Sequence, residues 1–382
     1  MPVAGERHIV EIVDFAHDGA GVGRLDGLAV FVPGALPGEE VEIEITAVKR
    51  SYAVARLVSV RQAGEARVES RCAAYGRCGG CQLQHLSYAR QLEFKRNVVE
   101  RALARLGKLP GVPVHPVLGM AEPWHYRNKA QLHAGLVEGR LRLGYYQPGS
   151  HTLVPLADCP LLPPPFTALV KTLEQVLPEF GVKPYDAKEH KGQLKHLVIK
   201  RSHAFGEMMV IFVTVSDRWP GKEQLVQTLQ DRCPEVVSWV HNVNPGRKQI
   251  LGPKFKLIAG QDRIRERLGS LTFLLSPPAF FQVNSQQAAV LYEKAVEYAG
   301  LSGRETVFDL YCGTGTLSLF LAQKAAYVYG VEAVPEAIED AKANASHNGI
   351  GNVQFLAGEV ERVLPRLAAR NIKPDVVVLD PP

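Results

Sequence analysis

The stretch from residue 306 to 379 constrains the fold more than any other part of the chain. Thr306-Val307-Phe308-Asp309-Leu310 reads as a buried strand and Leu317 to Lys324 as a helix. Tyr327 to Glu332 is a second strand, Pro335 to Asn348 a helix, and Val353-Gln354-Phe355 a third strand. Val360 to Arg370 is again helical, and Asp375 to Leu379 is a fourth strand. Short apolar runs separated by helices are the pattern of parallel strands covered on both faces. The order β-α-β-α predicts a doubly wound parallel sheet, with a further helix from Gln286 to Ala299 ahead of it.

The loop Asp309-Leu310-Tyr311-Cys312-Gly313-Thr314-Gly315-Thr316 lies between the first strand and its helix. Its glycines admit close approach of a ligand, and the start of the helix offers free N–H groups. The short G-x-G lacks the third glycine of a dinucleotide fingerprint. Glu332 ends the next strand, where a carboxylate can accept both hydroxyls of a ribose. With Asp380-Pro381-Pro382 after the fourth strand, the set fits S-adenosylmethionine better than NAD. Cys312 reads as a small buried filler rather than a nucleophile.

Composition narrows the rest. At 382 residues with 46% hydrophobic and 22% charged side chains, the chain can bury a core in each of two or three domains and is not disordered. No apolar run approaches the roughly 18 residues that span a bilayer, and no secretory leader pattern opens the chain. A cytoplasmic protein without membrane contact is expected. Six cysteines are too sparse for a disulfide scaffold, so clustered ones point to metal or catalysis.

Three of the six cluster as Cys72-x5-Cys78-x2-Cys81, among glycines that let the backbone curl around a compact group. Cys159, in Asp158-Cys159-Pro160, is the natural fourth ligand. The asymmetric spacing fits an iron–sulfur cluster better than a zinc ribbon, and His85 could instead complete a zinc site. Residues 6–62 alternate in short strands around His8–Ile12, 28–32, 41–45 and 53–60. Asp18-Gly19-Ala20-Gly21 and Pro33-Gly34-Ala35-Leu36-Pro37-Gly38 read as turns, and the whole predicts a compact OB-like β-barrel. A helix over 86–107 carries Leu92, Val99, Leu103 and Leu106 on one face, and the texture from 110 to 270 is α+β, with strands at 140–146, 195–201 and 208–215.

Charge is distributed unevenly around a net of +5. Residues 63–130 carry +6 and 183–270 carry +7, between acidic ends of −3 (1–62) and −4 (271–382). Such a middle suits a polyanion, because Lys and Arg displace counterions from phosphates. Arg127, Lys129, Lys195, Lys200 and Arg201 are the candidate phosphate contacts. Pro278-Ala279-Phe280-Phe281-Gln282-Val283-Asn284 pairs aromatics with amides, a combination able to stack a base.

Taken together these motifs resemble the RNA uracil-5-methyltransferase family, in its iron–sulfur branch with an N-terminal TRAM domain (the 23S rRNA type). Asp18 to Gly23 and Val32 to Glu39 look like TRAM. Phe280 to Asn284, Asp309 to Gly315 and Asp380-Pro381-Pro382 match catalytic-domain motifs. The resemblance implies a multidomain chain: 1–64 an OB-like TRAM barrel, 65–270 an α+β central iron–sulfur and RNA-binding domain, and 271–382 a Rossmann-like α/β methyltransferase domain. It implies that the helix 86–107 packs on the catalytic domain. It implies a 4Fe–4S cluster on Cys72, Cys78, Cys81 and Cys159, and S-adenosylmethionine on Gln282, Tyr311, Gly313, Glu332 and Asp380. Thr316 stands where some members have Asn.

The implied reaction is methylation of uracil C5 in RNA. A cysteine thiolate adds to C6, C5 attacks the methyl group, and a base removes the C5 proton. The implied substrate is ribosomal RNA, with transfer RNA as the alternative, and no obligate protein partner is implied. The family's nucleophile and base lie downstream of Asp-Pro-Pro, so the α/β domain is expected to be incomplete, the nucleophile to lie beyond Pro382 and the chain as it stands to be inactive. A non-catalytic RNA-binding metal protein is the competing class. A radical iron–sulfur enzyme would need a compact C-x3-C-x2-C motif, which the chain lacks.

Overall fold

The N-terminal barrel closes in the computed structural model, which describes residues 2–381. Strands β1 (Arg7–Phe15), β2 (Gly21–Leu25), β3 (Leu28–Val32), β4 (Glu40–Val48) and β5 (Tyr52–Gln62) pair in the order β1-β2-β3-β5-β4, and β4 returns to β1. Val10, Ile12, Val30, Val32, Val41, Ile43 and Ile45 fill its interior, as strand alternation requires. The sequence hides β2, because Gly21 and Gly23 look like turn residues. A Cβ on Gly21 would lie 2.7 Å from the Ala35 carbonyl oxygen, and one on Gly23 3.0 Å from that of Glu11. These glycines permit close backbone approach within a strand.

The chain folds into two compact units. One holds the chain up to residue 123 with 145–154 and 158–160, and the other holds 124–144, 155–157 and 161 onward. In the first unit α1 (Tyr88–Arg105) buries no residue fully, and Val99 and Leu106 are 50% and 84% exposed. The face drawn through Leu92, Val99, Leu103 and Leu106 is therefore not a core face. Within its own unit the helix meets the barrel through Phe94, whose ring lies 4.8 Å from that of Phe15, and through an Arg101–Asp14 ion pair of 2.8 Å.

The second unit is built on a seven-stranded sheet. The sheet and its helices comprise β6 (Lys129–Val137), β7 (Arg140–Tyr146), β8 (Leu153–Pro155), α2 (Pro164–Glu179), β9 (Leu194–Arg201), β10 (Met208–Thr214), α3 (Lys222–Arg232), β11 (Val236–Val243) and β12 (Lys254–Gly260), of which Tyr145, Tyr146, Leu153 and Val154 belong to the first unit. The strands run in the order β12-β11-β10-β9-β6-β7-β8. A hairpin, β13 (Ile264–Leu268) and β14 (Leu271–Leu275), and helix α4 (Ser285–Ala299) follow. Asn284 caps α4 by accepting from the Gln287 N–H, and Gly300 ends it in the left-handed region.

Next come β15 (Thr306–Leu310), α5 (Thr316–Ala322), β16 (Tyr327–Glu332), α6 (Pro335–His347), β17 (Val353–Ala357), α7 (Val360–Ala369) and β18 (Val376–Leu379). The four strands are parallel in the order β17-β16-β15-β18. Phe308, Leu310 and Val331 pack against Val360, Val363 and Leu367 of α7. Val307 and Val328 pack with Leu321 and Ala322 of α5. Helices thus cover both faces, as the apolar runs require. Val198, Met209, Ile211 and Val213 of the larger sheet share one core with Phe273, Phe281, Cys312, Ala341 and Phe355. That shared core seats the Phe280–Asn284 motif beside the Gly-rich loop.

Candidate functional site

Parallel pairing decides which loops meet. Leu310 is partnered by Val331 on one side and Leu379 on the other, so the carboxyl ends of β16, β15 and β18 lie side by side. Tyr311 and Asp380 follow β15 and β18 directly, and Glu332 is the last residue of β16. The chain winds outward from β15 in opposite directions to β16 and β18, which makes this a topological switch point, where open α/β sheets bind ligands.

The loop between β15 and α5 is held in an unusual shape. Tyr311 has φ +65, a left-handed conformation that a non-glycine residue adopts only when its surroundings enforce it. The Cys312 N–H donates to the Val331 carbonyl at 3.0 Å, and the Tyr311 hydroxyl donates to Glu361 at 3.2 Å. The Gly313 N–H donates to Glu332 Oε2 at 3.1 Å, and the Val334 N–H to Glu332 Oε1 at 2.8 Å. Each carboxylate oxygen keeps a second acceptor site for a ribose hydroxyl.

The two loop glycines do different work. Gly313 has φ +54, and a Cβ there would meet nothing within 4 Å, so its open side leaves room for a ligand. Gly315 has φ +76, and its Cβ would lie 2.7 Å from the Phe355 ring and 2.9 Å from the Ala341 methyl. It serves packing. Beneath the loop Asp309 is buried and accepts a 2.5 Å hydrogen bond from the Ser318 hydroxyl. Burial, with a further contribution from Asp380, pushes its carboxyl up to about 7. Burial likewise pushes the Cys312 thiol far above its ordinary value, with Asp309 and Glu332 adding to it. A protonated, buried thiol is no nucleophile, in agreement with the filler role read from the sequence. Thr316 is buried against Thr314, with their hydroxyls 3.4 Å apart.

Phe281 is buried while Phe280 is 65% exposed, with the Lys129 ammonium 5.7 Å from its ring centre. The backbone of Gln282 and Val283 is tied to Asn128: its side chain donates to the Gln282 carbonyl at 2.8 Å, and its N–H to the Val283 carbonyl at 2.9 Å. The basic residues divide. Arg127 and Lys129 flank Asn128 at the start of β6. Lys200 cannot reach an RNA phosphate, because it is 7% exposed and its ammonium is committed to the carbonyls of Ser276 and Ala279. Lys195 donates to the carbonyls of Asn244, at 3.1 Å, and Gly246. Sequence reasoning missed Ser318 and the buried Glu266, and it placed Asn128 and Lys200 at phosphate contacts, whereas both hold backbone carbonyls of the 276–284 segment. Glu266 accepts from Ser285 at 2.9 Å and from the N–H groups of His203 and Ala204 at 2.8 and 3.0 Å. An internal Glu in an alternating strand gives no signal of such a role.

All four cysteines of the expected cluster lie in the first unit, partly exposed and outside any disulfide. The Gly80 N–H points at Cys78 Sγ at 3.4 Å, and Gln84 Nε2 at Cys81 Sγ at 3.2 Å. Burial pushes the Cys78 thiol up, and Cys72 adds to the rise. The Gly79 N–H donates to the Tyr146 carbonyl at 3.0 Å, tying the loop to the segment that leads to Cys159. Among the described residues, no three His, Cys, Asp or Glu side chains are drawn together as a metal site. The His85 Nδ1 meets the Tyr75 hydroxyl, and burial pushes its imidazole down to about 4. No helix among the described residues is long and apolar enough to cross a membrane.

A five-stranded barrel and a doubly wound sheet with a Gly-rich loop and a strand-end carboxylate define a methyltransferase-type domain joined to an OB-like module. Family models agree: residues 4–58 match the TRAM domain, and 301–381 match a methyltransferase domain. An uncharacterised RNA methyltransferase of Halalkalibacterium halodurans is 44% identical over 98% of this chain and 82% of its own length. One from Clostridium tetani is 46% identical over 95% of this chain and 79% of its own. The chain belongs to this RNA methyltransferase family. Among solved structures, the tRNA (uracil-54, C5)-methyltransferase of Pyrococcus abyssi in complex with S-adenosyl-L-homocysteine superposes with a TM-score of 0.76. It is 26% identical over 99% of this chain and 84% of that one.

Proposed function

We propose that this chain methylates uracil C5 in RNA, using S-adenosylmethionine. The observation that carries the reading is the switch-point cluster: Glu332, Gly313 and Tyr311 at adjoining strand ends, with the Phe280–Gln282 motif packed beside the same loop. The cofactor supplies an electrophilic methyl group on a sulfonium. In this reading Glu332 accepts the ribose hydroxyls, the open face of Gly313 admits the nucleoside, and Tyr311, Gln282 and Asp380 complete the pocket. Phe280, exposed beside Lys129, offers a stacking face to a base turned out of its helix. The likeness to the Pyrococcus abyssi enzyme supports uracil C5 as the target. The reading assigns the attacking thiolate to none of the six cysteines of this chain.

Ribosomal RNA is the substrate we favour, with transfer RNA as the alternative, and such a substrate puts the protein in the cytoplasm. Four thiols, three of them on the glycine-rich stretch from Cys72 to Cys81 and the fourth in Asp158-Cys159-Pro160, support a 4Fe–4S cluster held by Cys72, Cys78, Cys81 and Cys159. The protein should transfer labelled methyl groups to ribosomal RNA, and nucleoside digests should yield 5-methyluridine. Methylation at another base or at the 2′-hydroxyl would overturn the uracil reading. Exclusive labelling of tRNA would select the alternative.

A further inference from the structure

The segment between β14 and α4, residues 276–284, carries Phe280 and Gln282 and has no regular structure of its own. Its carbonyls are nonetheless taken up one after another by donors from the larger sheet. Lys200 Nζ donates to the Ser276 carbonyl at 3.0 Å and to the Ala279 carbonyl at 2.8 Å. Asn128 takes the carbonyls of Gln282 and Val283, and its side chain also reaches the Ser285 hydroxyl at 2.8 Å. The donors are neighbours: Lys129 is in register with Lys200 across β6 and β9, and the Arg201 N–H donates to the Asn128 carbonyl at 2.8 Å.

We infer that Lys200 is a positioning residue: its buried ammonium fixes the loop that presents Phe280 and Gln282, by gripping the carbonyls on the N-terminal side of that pair while Asn128 grips those on the other. The inference rests on the reading of Gln282 as a cofactor contact.

A lysine is a costly choice for that place. Its charge is withdrawn from water, and among the described residues no carboxylate lies within ion-pair distance of it, although Asp340 is near enough to favour the charged form. Asp340 is held by the Ser276 hydroxyl at 2.5 Å and by Arg263 at 3.4 Å. Burial, with Lys129 adding to it, pushes the ammonium down to about 7. Taking an ammonium out of water carries a desolvation penalty that an apolar side chain of similar volume does not incur. Packing alone would therefore be served by methionine. What methionine cannot do is donate to two carbonyls at once. With Lys200 gone, the Ala279 carbonyl would lose its donor and the Ser276 carbonyl would keep only the Ala279 N–H, at 3.2 Å, and a buried acceptor without a partner drives backbone toward water. The movement falls on the residues between the two grips, Phe280 and Gln282.

The test measures Lys200→Met and Lys200→Gln against the wild-type chain in three ways: melting temperature, amide hydrogen exchange by segment, and affinity for S-adenosylhomocysteine. For Lys200→Met we expect a melting temperature equal to or above that of wild type. We expect exchange in 277–282 to quicken about tenfold or more, exchange in 309–316 to stay unchanged, and cofactor-product affinity to fall about tenfold. Lys200→Gln keeps a shorter donor and should fall between. A quickened 277–282 segment without loss of melting temperature separates positioning from a merely structural role, because a structural lysine would lower the melting point and loosen the whole unit. Unchanged exchange at 277–282 in both variants overturns the inference, as does a global loosening in both. If Lys200→Met does not fold, Lys200→Gln decides by the same readings. A wild-type chain that binds no S-adenosylhomocysteine would sink the cofactor reading, while the exchange measurement would still decide the role of Lys200.

Discussion

Asp309 is the most informative single group to perturb, because it is buried, ionisable and directly beneath the Gly-rich loop. Its carboxyl stands at about 7 rather than 3.8, chiefly through burial. A group whose folded value is raised binds a proton more tightly in the native state than in the unfolded one. Native stability is then lost as pH rises from about 4 to 7 and is level above that. The full shift corresponds to roughly 4 kcal/mol, at about 1.4 kcal/mol per pH unit. In Asp309→Asn the ionisation disappears, and the amide oxygen can still accept from the Ser318 hydroxyl. Urea unfolding followed by tryptophan fluorescence suits the measurement, since Trp219 and Trp239 are buried in the same unit. Between pH 5 and 8 the stability of Asp309→Asn relative to wild type should grow by about 2–3 kcal/mol in favour of the variant. Parallel pH profiles for the two proteins would refute the argument.

Glu332→Ala should weaken S-adenosylhomocysteine binding about ten- to hundredfold by calorimetry, the loss of one charged hydrogen-bonding group, and leave RNA affinity nearly unchanged. Removing Arg127, Lys129 and Arg201 together should do the reverse, weakening RNA binding and flattening its salt dependence; an unchanged salt slope would rule out their phosphate contact. Gly315→Ala should lower stability by about 2–4 kcal/mol, by overpacking against Phe355 at a positive φ. Gly313→Ala, with open space on that side, should cost only about 1 kcal/mol while impairing cofactor binding, so equal melting temperatures would contradict the division between the two glycines. Anaerobically purified protein should carry about four irons per chain, and stoichiometric zinc without iron would exclude the cluster.

The sequence by itself determined whatever is encoded locally. The parallel strands from 306 to 379 were legible because buried strands read as apolar runs, and the barrel because its strands alternate around turn signals. Glu332 and Tyr311 were legible because a strand end and a Gly-rich loop fix where a side chain must point. The strand β2 was not, since its glycines answer to Ala35 and Glu11, which are distant in sequence. Four of the seven strands of the larger sheet and the helices α2 and α3 also escaped, in a stretch where local pattern was mixed. The role of Lys200 was read wrongly for the same kind of reason: a lysine in a basic block looks like a phosphate contact. Only the register of β6 with β9, and the loop packed over them, turns its ammonium inward onto two carbonyls. Local pattern reports the solvent exposure that is usual for a residue type. Which buried groups must be satisfied, and by whom, is settled by tertiary neighbours that no sequence window contains.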